Sequence, residues 1–580
     1  MVDHSRKHNL GHGFPTPGPQ DPTVETIMDH IFFMNDEKWK KAREFGQYDM
    51  IIVGTGFCGH AVVHRTLEHK PTAKILMVER GPFFLPDHVQ NLSPAVSCTI
   101  GGISETFPWT LDGRTASGQD GIVTWQHGML PFFGGRSNTW SAWCPRPKKE
   151  ELNGWPDVVT DKLYRHDAAL LRCAEELLNV QTVDKVDEAC SNKPMHEIVG
   201  AKKNKNRSIY CALQRSIQKR LNGALHSEAL KDVGIYRTDP AAIASKSEAS
   251  TNFQKFSVTG PLLDLLQRYE NLHIVTNCTV EKILSDGTSK GSIAKALVTS
   301  KGVCLIGKAN LILAMGSLPP TTLIQNSFPE LKNIGNRFTS HIITAITARI
   351  PKEVVEEDDD KFDELEVGAM YVAGVCDGNY KKQYHIQLSI IHDQDPLMNS
   401  NKAYGYMPDI MSTASRDQLQ SSKDHVIFVC AVLGELYYRN ESSFLKNKND
   451  PDETTNSVLR IVSNREEDLK TWDAMEKATY KMLEMTVGKE NKDQLEYWKD
   501  GIGWTYDRQK FRVDTLVHEG STLYFGDEND VEAPVEASNY KIRGVENVYV
   551  TGAALWPQAG SWNPTLTMVA LSLDLADMLK

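Results

Sequence analysis

Two short runs near the C-terminus carry residue types that could act on a hydroxyl group: His518-Glu519-Gly520-Ser521-Thr522 and Asn563-Pro564-Thr565. Histidine titrates near neutrality and is the natural base for an alcohol proton. Asparagine offers a donor and an acceptor to the same oxygen. Each also has an ordinary structural reading. A lone histidine is more often structural than catalytic, and Asn followed by Pro suits the N-cap and first position of a helix. Cap and hydroxyl ligand are compatible roles, because a helix N-terminus aimed at a bound group stabilises negative charge that builds on it. Trp556, Gln558 and Trp562, in the turn before that helix, are the candidate substrate contacts. Tryptophan faces suit stacking on a sugar or an aromatic alcohol, and core packing suits them equally.

A second constellation lies near the N-terminus. Tyr48-Asp49-Met50-Ile51-Ile52-Val53 runs into Gly54-Thr55-Gly56-Phe57-Cys58-Gly59. The glycine pattern alone is weak evidence, and its context strengthens it. Asp49 to Val53 is the short apolar run of a buried parallel strand, 58 to 69 reads as a helix, and Ala73 to Val78 reads as a second strand ending at Glu79. That is a βαβ unit with an acid roughly 20 residues past the last glycine, the pattern of a dinucleotide site. Gly54 permits the tight turn, Gly56 lets the backbone approach a pyrophosphate, and Gly59 lets the helix sit close to the strand. The free N–H groups at Phe57 and Cys58 face the phosphates. Glu79, followed by Arg80, can accept from a ribose hydroxyl and disfavours a 2′-phosphate.

These residues need elements to hold them. The chain has 580 residues, 40% hydrophobic and 24% charged, ordinary for a globular protein with two domains or one large composite. A net charge of -11 argues against nucleic acid as a partner. No apolar run approaches the roughly 18 residues of a membrane span. Met1 to His8 is not followed by an apolar stretch, so no secretory signal is expected. The ten cysteines show no CxxC, and with Cys278, Cys304 and Cys430 in apolar segments they read as free thiols in a reducing, cytoplasmic compartment. No metal site is expected. The Asn-X-Ser/Thr triplets at Asn91, Asn206, Asn277 and Asn440 carry no assignment.

Along the chain, residues 1–45 read as an N-terminal arm, polar and rich in Pro, Gly and His up to about residue 22. Trp125 to Trp140 is dense in glycine and aromatics and reads as a structured loop close to something flat. Residues 151–250 look mainly helical. Leu272 to Leu284 reads as two short β segments, and Ala309 to Ser317 as a strand ending in a glycine turn. Val354 to Glu366, with five consecutive acids, reads as a solvated loop. Tyr384 to Ile390 and His425 to Cys430 are strands, Arg439 to Ser457 a polar loop, and no internal repeat is visible.

Taken in order, these pieces resemble the glucose-methanol-choline (GMC) oxidoreductases, and most of all their pyranose oxidase-type branch. The resemblance rests on Ile52 to Gly59 with Glu79; Gly134-Gly135-Arg136-Ser137-Asn138-Thr139-Trp140; Leu311 to Ser317; Ile334-Gly335-Asn336-Arg337-Phe338-Thr339-Ser340-His341; and the closing block of His518, Ser521, Thr522, Gly544 to Gly552 and Asn563-Pro564-Thr565. It covers about half the chain. It implies an α/β, α+β composite fold, with a Rossmann-like FAD-binding domain built from discontinuous segments (46–150, 260–345 and 510–580). The rest, 151–259 and 346–509, would be a substrate domain with a large antiparallel sheet and helices. The implied FAD contacts are Gly54, Gly56, Phe57, Cys58, Gly59, Glu79, Arg80, Gly135, Arg136, Ser137, Asn138, Thr139, Trp140, Val280, Ala314, Gly552, Ala553, Asn563, Pro564 and Thr565.

The implied chemistry is oxidation of a CH–OH group of a sugar, a sugar-derived polyol or another alcohol, with oxygen or another acceptor taking the electrons. His518 would be the base and Asn563 would position the alcohol oxygen. Many pyranose oxidases tether FAD through a histidine in the Gly-Gly segment. Here that place is Thr139, flanked by Asn138 and Trp140, and His127 is too far upstream, so FAD is expected without a covalent bond. The alternative on the same fold is a non-redox lyase or cyclase with structural FAD, in which the histidine does acid–base work alone. A flavin-binding protein without catalysis fits His518 and Asn563 poorly.

Overall fold

The computed structural model describes residues 22–93, 115–117, 125–126, 130–185, 209–246, 254–288, 291–376, 378–406, 414–463 and 465–580. The start of the expected arm, His127 and Asn206 lie outside them.

Four-residue apolar runs pair into a five-stranded parallel sheet. Its spatial order is Val548–Val550, Asn310–Leu313, Met50–Val53, Ile75–Val78, Leu272–Val275. The central strands are buried on both faces, the condition under which unbroken aliphatic runs form strands. The helix Phe57–His69 follows the first strand and packs against the final helix, Thr565–Met578. Arg65 fixes their ends by pairing with Asp577 at 2.9 Å.

The second layer is a mostly antiparallel sheet, nine-stranded among the described residues. Its long strands are Thr339–Pro351, Leu365–Cys376, Asn379–Asp393 and His425–Glu435. Arg512–Gly520, hereafter the base strand because it carries the candidate base His518, pairs antiparallel with Thr339–Pro351. Alternation along these strands gives the sheet two different faces. Tyr384, Ile386, Leu388, Phe428, Cys430 and Val432 share one core with the helices Ala212–Ala224 and Glu466–Val487. Ala369, Tyr371, Ala373, Ile427 and Val429 point the other way and join the core of the parallel sheet. The site lies on this second side.

Parts of the molecule differ from the sequence reading. Residues 24–31 and 36–45 are helices, and Phe33, Met34, Trp39 and Ala42 between and within them are buried in the main core. This part of the expected arm is held by apolar burial, and Trp39 also donates to the Lys301 carbonyl at 3.0 Å. The acidic run is not wholly solvated. Asp360 pairs with Arg215, Glu357 with Lys219, and the buried Glu366 accepts from the Leu213 N–H. The polar loop at 439–457 contains the strand Ser443–Lys446 and leads into Ser457–Ile461. A boundary at residue 345 would cut the continuous strand Thr339–Pro351. No helix among the described residues is long and apolar enough to cross a membrane.

Candidate active site

The C-terminal ends of the parallel strands open onto a cavity of about 700 Å³ that is closed on its other side by the large sheet. Gly54, Glu79, Ala314 and Gly552 stand just past four of those strands, the edge at which open α/β sheets bind ligands. Gly54 has φ +103°, a conformation glycine adopts without steric cost. A Cβ at Gly59 would lie 2.3 Å from the Gly54 carbonyl oxygen. The turn and the helix therefore fit together only with glycine at this point.

Glu79 is buried, and burial raises its pKa. Its Oε2 accepts from the Thr55 N–H at 3.0 Å and the Thr55 hydroxyl at 2.6 Å, and its Oε1 from the Gly81 N–H at 3.0 Å. The carboxylate lines the cavity while bracing the glycine turn. The Thr55 hydroxyl also accepts from the Gly134 N–H at 3.0 Å, joining this turn to the Gly134-Gly135 segment. Two sequence stretches far apart are thus clamped on one side of the cavity.

Within the second stretch the side chains divide the work. Gly135, Arg136, Thr139 and Trp140 line the cavity. Ser137 and Asn138 do not. Ser137 donates to the Gly134 carbonyl, and Asn138 donates to the Phe133 carbonyl while accepting from Ser257 and Thr259. They are the internal frame of the loop, as Gly59 is of the turn. Arg136 forms a two-pronged pair with Glu519, at 2.5 and 3.1 Å, so this loop also holds the base strand.

His518 reaches the cavity through an irregularity of the backbone. Thr339 pairs with Gly520 and His341 with Val517, so the base strand carries one residue more than its partner between these rungs. Such bulges re-aim a side chain. His518 itself has φ +63° and Ser521 φ +72°, sparsely populated for residues with a Cβ. His518 Nδ1 lies 2.8 Å from His341 Nδ1, and His518 lines the cavity.

Asn563 approaches from the opposite element. The final helix starts at Thr565 with Pro564 as its boundary residue and no side-chain cap. Asn563 therefore does not play the capping role its sequence context suggested. Its Oδ1 accepts instead from Gln387 Nε2 at 2.7 Å. That leaves its N–H₂ end as the donor for an oxygen in the cavity. Pro564, Thr565 and Met568 also line the cavity, so the positive end of the helix faces it.

Of the remaining expected contacts, Gly56, Phe57, Cys58, Arg80, Val280 and Ala553 line the cavity. Trp556, Gln558 and Trp562 do not. Both tryptophans are fully buried and form an aromatic cluster with Trp155, with rings 5.3 and 6.2 Å from it; Trp155 donates to the Gln558 carbonyl at 3.1 Å. Packing under the last turn accounts for them, not stacking on a substrate.

The sequence reading missed Gln387, the clamp residue Thr55, and Glu453 and Thr454, which line the cavity from the supposed polar loop. It also missed the aliphatic wall formed by Ile343, Ala431, Leu433, Val513 and Val517. A signal for Gln387 existed. His385, Gln387 and Ser389 alternate with Tyr384, Ile386, Leu388 and Ile390, and all seven are buried. A strand with one polar buried face serves something other than a core.

The residues present fit a dinucleotide: glycines at the turn, backbone N–H groups at a helix N-terminus, and a buried carboxylate held beside them. Among the described residues no cluster of three or more His, Cys, Asp or Glu could hold a metal ion.

No curated protein matches the chain. Among solved structures, pyridoxine 4-oxidase from Mesorbium loti shares the fold, with a TM-score of 0.56 and 14% identity over 92% of this chain and 99% of that one. Residues 441–572, which include His518 and Asn563, match the family model described as GMC oxidoreductase. The likeness to the GMC oxidoreductases thus lies in the C-terminal part of the chain, and the likeness to the solved structure extends the shared fold over the rest.

Proposed function

We propose that this chain is an FAD-dependent oxidoreductase that oxidises a CH–OH group, with His518 as the base and Asn563 as the ligand of the alcohol oxygen. The observation that carries the reading is the convergence of these two side chains on one cavity with the glycine turn and Glu79. Residues at the two ends of the chain meet there, and neither group has a purely structural use: Asn563 does not cap its helix, and His518 sits in a strained backbone position.

In this reading Gly56, the N-terminus of the helix Phe57–His69 and Arg80 hold the pyrophosphate, and Glu79 faces the adenosine ribose. Gly135, Arg136, Thr139, Trp140 and the start of the final helix flank the flavin ring. FAD supplies the hydride acceptor, and oxygen or another acceptor restores it. Thr139 cannot tether the cofactor, so it is held without a covalent bond. The protein orients the alcohol: Asn563 donates to its oxygen, Gln387 holds Asn563, and His518 removes the hydroxyl proton.

Next to the pair the wall is aliphatic, from Ile343, Ala431, Leu433, Val513 and Val517. Such a wall gains from covering hydrocarbon and gives nothing to extra hydroxyls. It favours an alcohol with an apolar flank over a fully hydroxylated sugar, although sugars and polyols belong to the expected range.

The test is anaerobic. The yellow protein is mixed with benzyl alcohol, 1-hexanol, glucose, sorbitol and pyridoxine, the last because the protein of similar fold is named for it. The flavin absorbance is then followed. Bleaching by benzyl alcohol or 1-hexanol supports the reading and the apolar wall. Bleaching by glucose or sorbitol alone keeps the oxidoreductase and rejects the wall argument. No bleaching by any of them turns the weight to a lyase or cyclase with structural FAD.

A further inference from the structure

Behind His518 the large sheet carries buried imidazoles that the chemistry above does not use. The rings of His341 and His518 are perpendicular, with centroids 4.9 Å apart, and their Nδ1 atoms are 2.8 Å apart. Two ring nitrogens at that distance need one hydrogen between them, so one ring donates and the other accepts. If His341 donated, His518 would carry its own proton on Nε2 and could not take one from an alcohol there. If His518 donates, its Nε2 is bare.

The second arrangement is the one in which His518 can act as the base, and His341 is able to meet it. The residue is fully buried, and burial pushes its pKa down to about 4, so its ring is neutral near pH 7. The backbone carbonyls of Ala559 and Gly560 work in the opposite sense and favour a proton on the ring. Nε2 makes no hydrogen bond of its own, and in this arrangement it carries the single proton while Nδ1 faces His518. Nδ1 of His341 is then an acceptor.

We infer that His341 is the positioning residue of the base: it accepts the Nδ1 proton of His518 and so fixes the tautomer with a bare Nε2 toward the cavity. The inference rests on the reading of His518 as the base. A neutral imidazole here does what a carboxylate does in other catalytic pairs. When His518 takes the hydroxyl proton on Nε2, both of its nitrogens carry hydrogen, and the bond to His341 Nδ1 is strengthened by the positive charge. No proton leaves the pair in that step.

Other groups surround the two rings. Glu435 stands opposite His341 in the sheet, accepts from the Ala559 N–H at 2.7 Å, and lies 4.0 Å from Arg439; burial raises its pKa to about 7. His385, whose ring is 6.4 Å from that of His341, is held neutral by burial and stacks on Tyr371, over which Arg237 lies. Beside His518, Glu519 is paired with Arg136.

The test uses FAD-loaded protein with ¹⁵N-labelled histidine, in the wild type, His341→Leu, His341→Asn and Glu435→Gln, with His518→Gln to assign the signal. In the wild type, His518 is expected to show a protonated Nδ1 and a bare Nε2. His341→Leu is expected to lose that tautomer and to move the His518 titration to lower pH, because a hydrogen bond that favours the charged form is gone. His341→Asn keeps an acceptor near the same place and is expected to restore both. Glu435→Gln identifies any transition near pH 7 that belongs to that carboxylate. A protonated Nε2 on wild-type His518, or an unchanged tautomer in His341→Leu, overturns the inference. Equal losses in the Leu and Asn variants make His341 a packing residue and overturn it as well. The measurement needs no substrate, so its failure is distinct from a failure of His518 to act as base, which flavin reduction in His518→Ala reads.

Discussion

At the residue scale, what sets His518 apart is its backbone. A side chain in a regular antiparallel strand points straight up or down from the sheet. The extra residue between the Thr339 and His341 rungs, with φ +63° at His518, turns the imidazole toward both the cavity and His341. Strain of this kind costs on the order of 1–3 kcal/mol and persists where surrounding contacts over-determine it. Here those contacts are the Arg136–Glu519 pair and the bond from the Thr522 hydroxyl to the Ser317 carbonyl at 2.7 Å. Replacing His518 with Ala leaves these contacts in place. The variant is therefore expected to fold and keep its yellow colour while reducing its flavin at least about a hundredfold more slowly, the usual weight of a general base. Stopped-flow bleaching with an alcohol that reduces the wild type reads the rate, and an unchanged rate removes His518 from the chemistry. His518 could be singled out in the chain as a candidate, because histidine is the residue type for the task, and it does line the cavity. Its partner could not. His341 sits in a run of ordinary strand residues, and nothing in Thr339-Ser340-His341 tells that a bulge on another strand brings Val517 and His518 beside it.

At the scale of elements, the glycine turn and the helix after it were legible almost residue by residue. The expected helix over 58–69 is Phe57–His69, and the expected strands fall on Met50–Val53 and Ile75–Val78. Local chemistry dictated them: an apolar run, glycines where a side chain has no room, and no breaker until the strand that follows. The cross-links between elements were not legible. Thr55 connects the turn, Glu79 and the Gly134 segment through three hydrogen bonds, and a threonine between two glycines announces none of them. Those bonds predict the outcome of Glu79→Ala. The substitution leaves the buried Thr55 N–H without its acceptor, a loss of about 1–3 kcal/mol, and frees the turn that is proposed to face the pyrophosphate. FAD is expected to dissociate more readily on dialysis, while the pH dependence of flavin reduction in the protein that retains it stays as in the wild type. Retention equal to the wild type would show that Glu79 serves only the fold.

At the scale of the whole molecule, the cavity joins two sheets that the chain builds from interleaved segments. Val53, Val78 and Ala314 approach it from the parallel sheet, and Ile343, Gln387, Ala431 and Leu433 from the antiparallel one. One apolar core runs behind it through both, from Ile52 and Met77 to Tyr371 and Val429. The composite plan was visible as a resemblance of motifs in order, whereas composition alone allowed any two-domain protein. The antiparallel sheet was harder to read because its strands are contributed from residue 125 to residue 520, and long-range pairing leaves little trace in local pattern. A ligand held between two such layers ties their stabilities together. Acid precipitation is expected to release all the yellow colour into solution if, as proposed, the cofactor is held without a covalent bond at Thr139. Milder stripping at neutral pH should then give a protein that unfolds at a lower temperature. Returning FAD to 100 times its dissociation constant should restore about 2.7 kcal/mol, and because the cavity is walled by both sheets, the gain should appear as one cooperative transition moving as a unit. Calorimetry checks this directly. If FAD shifts one of two separate transitions and leaves the other in place, the cofactor binds to the parallel-sheet layer alone, and the large sheet does not form the far wall of its site.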